Sequence, residues 1–190
     1  MRFEKGHKEN TRRRIIDVAS KRFRRDGIAA SGLAGIMAES GLTNGAFYPH
    51  FDSKEALVKE ALSNALNDQH SALTNEETGS IDIEDAIRRY LNKSHLLGCD
   101  EGCPSAALLP EIGRQPESTR KVYEEAYLSY VEGLAMLLPA PKSAKNRGKA
   151  AAIFGLMVGT IQIARAVSDL QLAEEILENG VQAALTLSRS

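Results

Sequence analysis

The 190-residue sequence predicts an all-α protein of nine helices in two domains, on three observations. Apolar residues recur at three- and four-residue intervals along nearly the whole chain, and Val, Ile and aromatic residues never alternate with polar ones over a strand's length. Gly and Pro fall where these periodic stretches break. Charge is unevenly divided. Residues 1–54 hold 11 Lys+Arg against 6 Asp+Glu and the remainder 13 against 19, so a basic end precedes an acidic body although the formal net charge is only -1. A basic end of this kind suits a polyanionic partner.

The elements follow in order. After a basic arm with Arg2, Lys5 and Lys8, Thr11 can cap a first helix over 11–25. Its Ile15, Ile16, Ala19 and Phe23 share one face, and Gly27 stops it. A short second helix covers 33–40. Gly41-Leu42 turns the chain, and Thr43 can cap a third helix over 43–50. Ser53 caps a long fourth helix to about 71, in which Leu57/Val58, Ala61/Leu62 and Ala65/Leu66 repeat at helical period. Residues 75–80 read as a polar loop. Asp82 caps a fifth helix through 97, residues 98–102 interrupt it, and Pro104 suits the first turn of a sixth reaching 112. The seventh covers 116–138 and ends at Pro139-Ala140-Pro141; the eighth and ninth cover 143–168 and 170–187. The domain boundary falls near Ser53, separating a small head (1–53) from a larger body (54–190).

Composition also excludes. Two cysteines, Cys99 and Cys103, are too few for a disulfide scaffold, and Met1-Arg2-Phe3-Glu4-Lys5 is charged rather than apolar. A cytoplasmic chain with reduced thiols is the expectation. The longest uncharged stretch, 150–164, has 15 residues. A membrane span needs roughly 20, so a buried helix and no membrane partner are expected. Cys103 and His95 could form a nucleophile pair, yet no third orienting group, glycine loop or paired-carboxylate motif accompanies them. The expectation is no enzyme, no catalytic residue and no cofactor.

The informative run is Gly41-Leu42-Thr43-Asn44-Gly45-Ala46-Phe47-Tyr48-Pro49-His50-Phe51-Asp52-Ser53-Lys54. It reads as two short helices joined by a glycine turn. Small residues at Gly45 and Ala46 let the second approach base edges in a major groove. Phe47 and Phe51, four apart, anchor it inward, while Tyr48 and His50 offer donors at phosphate height. Ser53 and Lys54 open the next helix, whose N-terminus suits a phosphate oxygen.

This run, with Arg14-Ile15-Ile16, Phe23, Gly27-Ile28, Ser31, Leu33 and Ile36 before it, resembles the tetracycline-repressor (TetR/AcrR) family of bacterial regulators over residues 11–58. The resemblance implies a three-helix DNA-binding head with 43–49 as recognition helix. It implies phosphate contacts from Ser31, Thr43, Tyr48, His50 and Lys54, in a transcriptional regulator, commonly a repressor. Asn44 replaces a frequent lysine and can pair bidentately with adenine. Gly32 and Gly35 weaken the supporting helix by about 1 kcal/mol each relative to alanine, and Pro49 removes a backbone donor.

In the body, Ala151, Gly155 and Gly159 on one helix, with Gly180 and Ala184 on the next, form small-residue stripes that admit close helix approach. They predict a two-fold homodimer through a four-helix bundle, and the family resemblance implies the same. Such a dimer reads an inverted-repeat operator on double-stranded DNA. Candidate lining of a ligand pocket comprises Leu62, Leu66, Tyr90, His95, Leu108, Tyr123, Tyr127, Tyr130, Met157, Ile161 and Arg165. That set suits a small hydrophobic effector. His95, Cys99 and Cys103 are spaced i, i+4, i+8, leaving open a redox- or metal-sensing regulator acting through Cys99 and Cys103. Gly98, Gly102 and Pro104 break that stripe, no fourth ligand stands near, and no metal is expected. A segment resembling Gly102-Cys103-Pro104 opens the sixth helix in one branch of the family, which implies a structural Cys103. Constitutive DNA binding without an effector is the other alternative.

Overall fold

The computed structural model describes residues 3–74, 81–139 and 144–190, with no strand among them. Arg2, the expected loop over 75–80 and the break continuing through 140–143 lie outside these residues. Nine α-helices are described: α1 (Phe3–Asp26), α2 (Leu33–Glu39), α3 (Lys54–Thr74), α4 (Ile83–Tyr90), α5 (Lys93–Leu97), α6 (Pro104–Ile112), α7 (Glu117–Met136), α8 (Ala144–Ala166) and α9 (Leu170–Arg189). One 3-10 turn, Asn44–Ala46, stands between α2 and α3.

The local reasons are legible. Gly27 (φ 88°) ends α1 while its N–H donates to the Phe23 carbonyl at 2.8 Å; Gly41 (φ 68°) does the same work after α2. Ser53 Oγ accepts from Ala56 N at 3.1 Å to cap α3, and Asp82 accepts from Asp85 N at 2.8 Å to cap α4. Asp169 caps α9 through the N–H groups of Gln171 and Leu172.

Three expectations change. Thr11 lies inside α1, because the Lys- and Glu-containing residues before it continue the helix back to Phe3. The single helix over 82–97 is two: α4 ends at Tyr90, and Asn92 Oδ1 accepts from His95 N at 2.8 Å to start α5. A short amide side chain competing for backbone donors breaks the ladder there. The third helix, expected over 43–50, is the 3-10 turn followed by a bend, and Thr43 makes no side-chain cap bond. Pro49 cannot donate to the Gly45 carbonyl, the bond that an α-helix requires at that place. The bonds formed are Ala46 N to Thr43 O (3.0 Å), Phe47 N to Asn44 O (3.2 Å) and Phe51 N to Phe47 O (3.1 Å).

Two apolar clusters organise the chain. The head cluster joins Ile15, Ala19 and Phe23 of α1 to Ile36 and Met37 of α2, to Phe47 and Phe51, and to Leu57, Val58, Ala61, Leu62 and Leu66 of α3. Leu108 and Ile112 of α6 seal it. The head's core thus crosses the expected boundary near Ser53 and uses a helix from the body. The second cluster packs α4, α7, α8 and α9 around Leu134, Ile153, Met157 and Ile161, all fully buried. By length and composition alone, Lys145–Ala166 (mean hydropathy 1.2) is apolar enough to cross a membrane, and 39% of that window is buried inside the fold.

Candidate functional site

The head presents one surface built around the 3-10 turn. Phe47 is fully buried and stacks on Phe51 at 5.5 Å between ring centroids, which pins the turn to the head core. On the outer side Thr43, Asn44 and Gly45 are exposed and Tyr48 is 67% exposed. A Cβ at Gly45 would meet no atom within 4 Å, so this side is open. Ala46 is half-buried against the core.

His50 is half-buried beside α1. Burial first, then the charges of Lys8 and Arg12, hold its imidazole below the ordinary 6.5. Its buried Nδ1 has no hydrogen-bond partner among the described residues. Arg12 lies 4.7 Å from the Phe51 ring centroid and pairs with Glu60. The basic N-terminal half of α1 and the 3-10 turn therefore form a continuous face.

Two residues expected to contact phosphate also bond within the chain. Ser31 is fully buried, and its Oγ donates to the Gly27 carbonyl at 2.7 Å. Lys54 Nζ donates to the Ile28 carbonyl at 2.7 Å. Both brace the turn after α1, because tertiary packing brings the start of α3 against it. Gly35 likewise has a packing role: a Cβ there would lie 2.7 Å from the Arg22 guanidinium, which pairs with Asp26 and Glu39.

A cavity of about 400 Å³ lies between α1, α3, α4, α7 and the loop over 98–103. Of the expected lining, Tyr90, His95 and Tyr130 are in its wall. The others are placed differently. Leu62, Leu66 and Leu108 belong to the head core, whereas Met157 and Ile161 are fully buried in the body core. Tyr123 shares a 3.1 Å hydrogen bond with Ser105 Oγ and stacks on Tyr127, 6.3 Å away. Arg165 donates to the His95 and Leu96 carbonyls at the end of α5. Sequence reasoning missed Arg24, Asp68, Gln69 and Cys103 in the wall. The spacing of Ala65, Asp68, Gln69 and Leu73 on one side of α3 carried a usable signal; Arg24, from the head, carried none.

The wall is tightly wired. His95 Nδ1 donates to the Tyr90 carbonyl at 2.7 Å, and Nε2 accepts from the Cys103 N–H at 3.0 Å. Both nitrogens are engaged as in a neutral ring, and burial lowers the pKa from the ordinary 6.5. Glycine is required at 102, where a Cβ would stand 2.5 Å from the imidazole. Arg24 donates from Nε to the Asp100 carbonyl (2.6 Å) and from Nη1 to Ser20 Oγ (2.9 Å), and its burial lowers its pKa. The Tyr90 hydroxyl, on a residue 7% exposed, has no hydrogen-bond partner of good geometry. Burial first, then the neighbouring Cys103 thiol, pushes its pKa well up. Cys99 and Cys103 are both free thiols. No group of three or more His, Cys, Asp or Glu among the described residues is placed to hold a metal ion.

Three hydrogen bonds join the loop over 98–103 and α6 to the head: Arg24 to Asp100, Lys21 to Glu101 (2.7 Å), and the Ala29 N–H to Glu111 Oε2 (2.9 Å). The expected dimer stripes divide. On α8, Ala151 is half-buried against the body core, and a Cβ at Gly155 or Gly159 would meet nothing within 4 Å. On α9, Ala184 is fully buried, and a Cβ at Gly180 would lie 2.5 Å from Thr160 Cγ2. The α9 stripe therefore serves α8–α9 packing within the chain.

The family model for bacterial regulatory proteins of the tetR family matches residues 15–61, from Ile15 in α1 into α3. Over that segment the chain is similar to the tetR family. Among curated relatives, the HTH-type transcriptional regulator TtgR of Pseudomonas putida is 34% identical over 93 residues, 48% of this chain and 44% of that one. LmrA of Bacillus subtilis, also a transcriptional regulator, is 26% identical over 147 residues, 75% of this chain and 78% of its own. The match thus spans under half the length of TtgR and more than three quarters of LmrA. Among solved structures, Escherichia coli NemR in its reduced form superposes with a TM-score of 0.76 at 21% identity, covering 92% of this chain and 95% of that one. At that identity the likeness is one of fold.

Proposed function

We propose that the chain is a sequence-specific DNA-binding regulator that binds an inverted-repeat operator as a homodimer and is released by a small molecule held in the cavity. The observation that carries the reading is the outer side of the 3-10 turn. Thr43, Asn44, Gly45 and Tyr48 stand clear of the fold while Phe47 and Phe51 hold the turn rigid beneath them. Lys8, Arg12 and His50 supply the adjacent charge and donors for phosphates, which fix register, and the turn supplies base contacts.

The outer face of α8, with Gly155, Gly159 and the 59%-exposed Ile163, is the surface on which a second copy would pack. Two heads related by a two-fold axis reach grooves about one DNA turn apart. An occupant of the cavity shifts binding only through its differential affinity for the two head spacings, commonly 1–3 kcal/mol of coupling. Repression released by the effector is the reading adopted, in a cytoplasmic protein.

Fluorescence anisotropy on an operator selected from random duplexes tests the interface. Tyr48→Ala should weaken cognate and scrambled duplexes alike, by about 1 kcal/mol or fivefold. Asn44→Ala should cost roughly 1–3 kcal/mol on the cognate duplex and little on the scrambled one. Equal losses for Asn44→Ala on both duplexes would refute its base-reading role, and no duplex binding at low salt would refute the whole function.

A further inference from the structure

Within the cavity, the buried polar groups are of one kind. The Tyr90 hydroxyl, 7% exposed, lines the cavity without a well-formed hydrogen bond, and the buried Gln69 Nε2 in the same wall lies beside the Tyr130 hydroxyl in poor geometry. Arg24 brings a guanidinium from α1, held through Nε and Nη1. All of these groups can donate a hydrogen bond.

The carboxylates of the wall lie at its exposed mouth, where Glu101 pairs with Lys21 and Asp68 accepts from Asn64, and both also act on the Arg24 charge, Asp68 the more strongly. His95 offers no free acceptor, since Nε2 already takes the Cys103 N–H. Aromatic and aliphatic surface from Tyr90, Tyr130, Leu73 and Ile81 completes the wall. A cavity of about 400 Å³ is at the small end of ligand sites, the size for one or two rings.

We propose that the cavity takes a small aromatic carboxylate. Its anionic oxygens meet the Arg24 guanidinium and the Tyr90 hydroxyl, and its ring lies on the apolar wall. This rests on reading the cavity as the effector site and names the class of molecule that fills it. Buried donors without partners are costly when the cavity holds no acceptor, and a carboxylate satisfies several at once.

The test uses the intact, DNA-free protein and matched probes: benzoate, salicylate and cinnamate, the neutral benzamide, and the cationic benzylamine. Isothermal titration and thermal shift should show at least one carboxylate binding about tenfold or more tighter than benzamide, with benzylamine weakest. Tyr90→Phe should leave the unliganded melting temperature unchanged or higher, because its hydroxyl is unsatisfied, and should weaken the carboxylate several-fold. Gln69→Met should weaken the carboxylate as well. Arg24→Lys, which keeps charge but loses the planar fork, should weaken it further.

Failure of all three carboxylates at millimolar concentration overturns the proposal, as does equal binding of benzamide or tighter binding of benzylamine. Unchanged carboxylate affinity in both Tyr90→Phe and Gln69→Met overturns it also. Release of operator DNA is measured separately. A carboxylate that binds with these dependences and leaves DNA bound keeps the ligand class and refutes the effector role.

Discussion

Gly180 offers a sharp test of how the body is built. Placing alanine there should gain about 1 kcal/mol in helix propensity, since Gly180 lies inside α9. The structure opposes this gain: the new Cβ would lie 2.5 Å from Thr160 Cγ2, 2.8 Å from Oγ1 and 3.1 Å from Cβ. Thr160 is β-branched and stiff, so it cannot swing one substituent away without presenting the other. The helices α8 and α9 must therefore part by several tenths of an ångström, at an overpacking cost of about 1–3 kcal/mol. The net expectation for Gly180→Ala is a loss of about 1 kcal/mol, or about 2–4 °C in a chain this size. Thr160→Ala removes the two closest atoms and leaves a single 3.1 Å contact. The double variant should therefore recover most of the loss that Gly180→Ala causes alone. The assay is thermal unfolding by circular dichroism at fixed protein concentration, because self-association shifts the midpoint. A Gly180→Ala protein that melts higher than the parent, or additive effects in the double variant, would refute the packing argument.

Two further outcomes follow from named contacts. Glu111→Ala should lose about 1 kcal/mol and speed amide exchange at Ala29, whose N–H its carboxylate accepts at 2.9 Å, while Glu111→Gln keeps an acceptor and should lose less; unchanged exchange at Ala29 would remove the strap. His95 and His50 both have folded-state pKa values below the ordinary 6.5, so the unfolded chain binds protons first and stability falls as pH drops through about 6.5, at no more than about 1.4 kcal/mol per pH unit for each group. Melting temperatures in matched buffers should show this slope, and His95→Gln should flatten it; a slope untouched by that change would place the titration elsewhere.

How much of this was legible in sequence depends on whether a residue's partner is local. The four-residue spacing of Phe47 and Phe51 announces an inward anchor, and both are buried. Ser53, Asp82 and Pro104 act on the first turns that follow them, so their helix starts were readable. Pro49 removes a backbone donor in any reading of the sequence, and that donor is the one whose bond would make the turn α-helical. Ser31 and Lys54 illustrate the opposite limit. Their residue types suit phosphate equally well, and only the fold discloses that the Gly27 and Ile28 carbonyls take their donors. The α9 stripe misleads for a related reason: Gly155 and Gly180 look alike in sequence, but Thr160 covers only the second. Arg24 could not be assigned to the cavity because its place there depends on α1 meeting Asp100, 76 residues downstream.

That meeting decides how an occupant of the cavity could act on the head under the proposed function. All three links, Arg24 to Asp100, Lys21 to Glu101 and Ala29 to Glu111, end on α1 or the turn after it, and none on the 3-10 turn. Helix α6 carries Cys103 in the cavity wall at one end and Glu111 near the other, about 12 Å apart by helical rise. A displacement of its N-terminus therefore arrives at Ala29 with little room to dissipate. Meanwhile Phe47 and Phe51 share a core with Ile15, Ile36 and Leu57, and close-packed cores move as units. The head should accordingly swing as a rigid body with its DNA-facing turn intact. The spacing between two heads, rather than the shape of either, is then the quantity an effector would change.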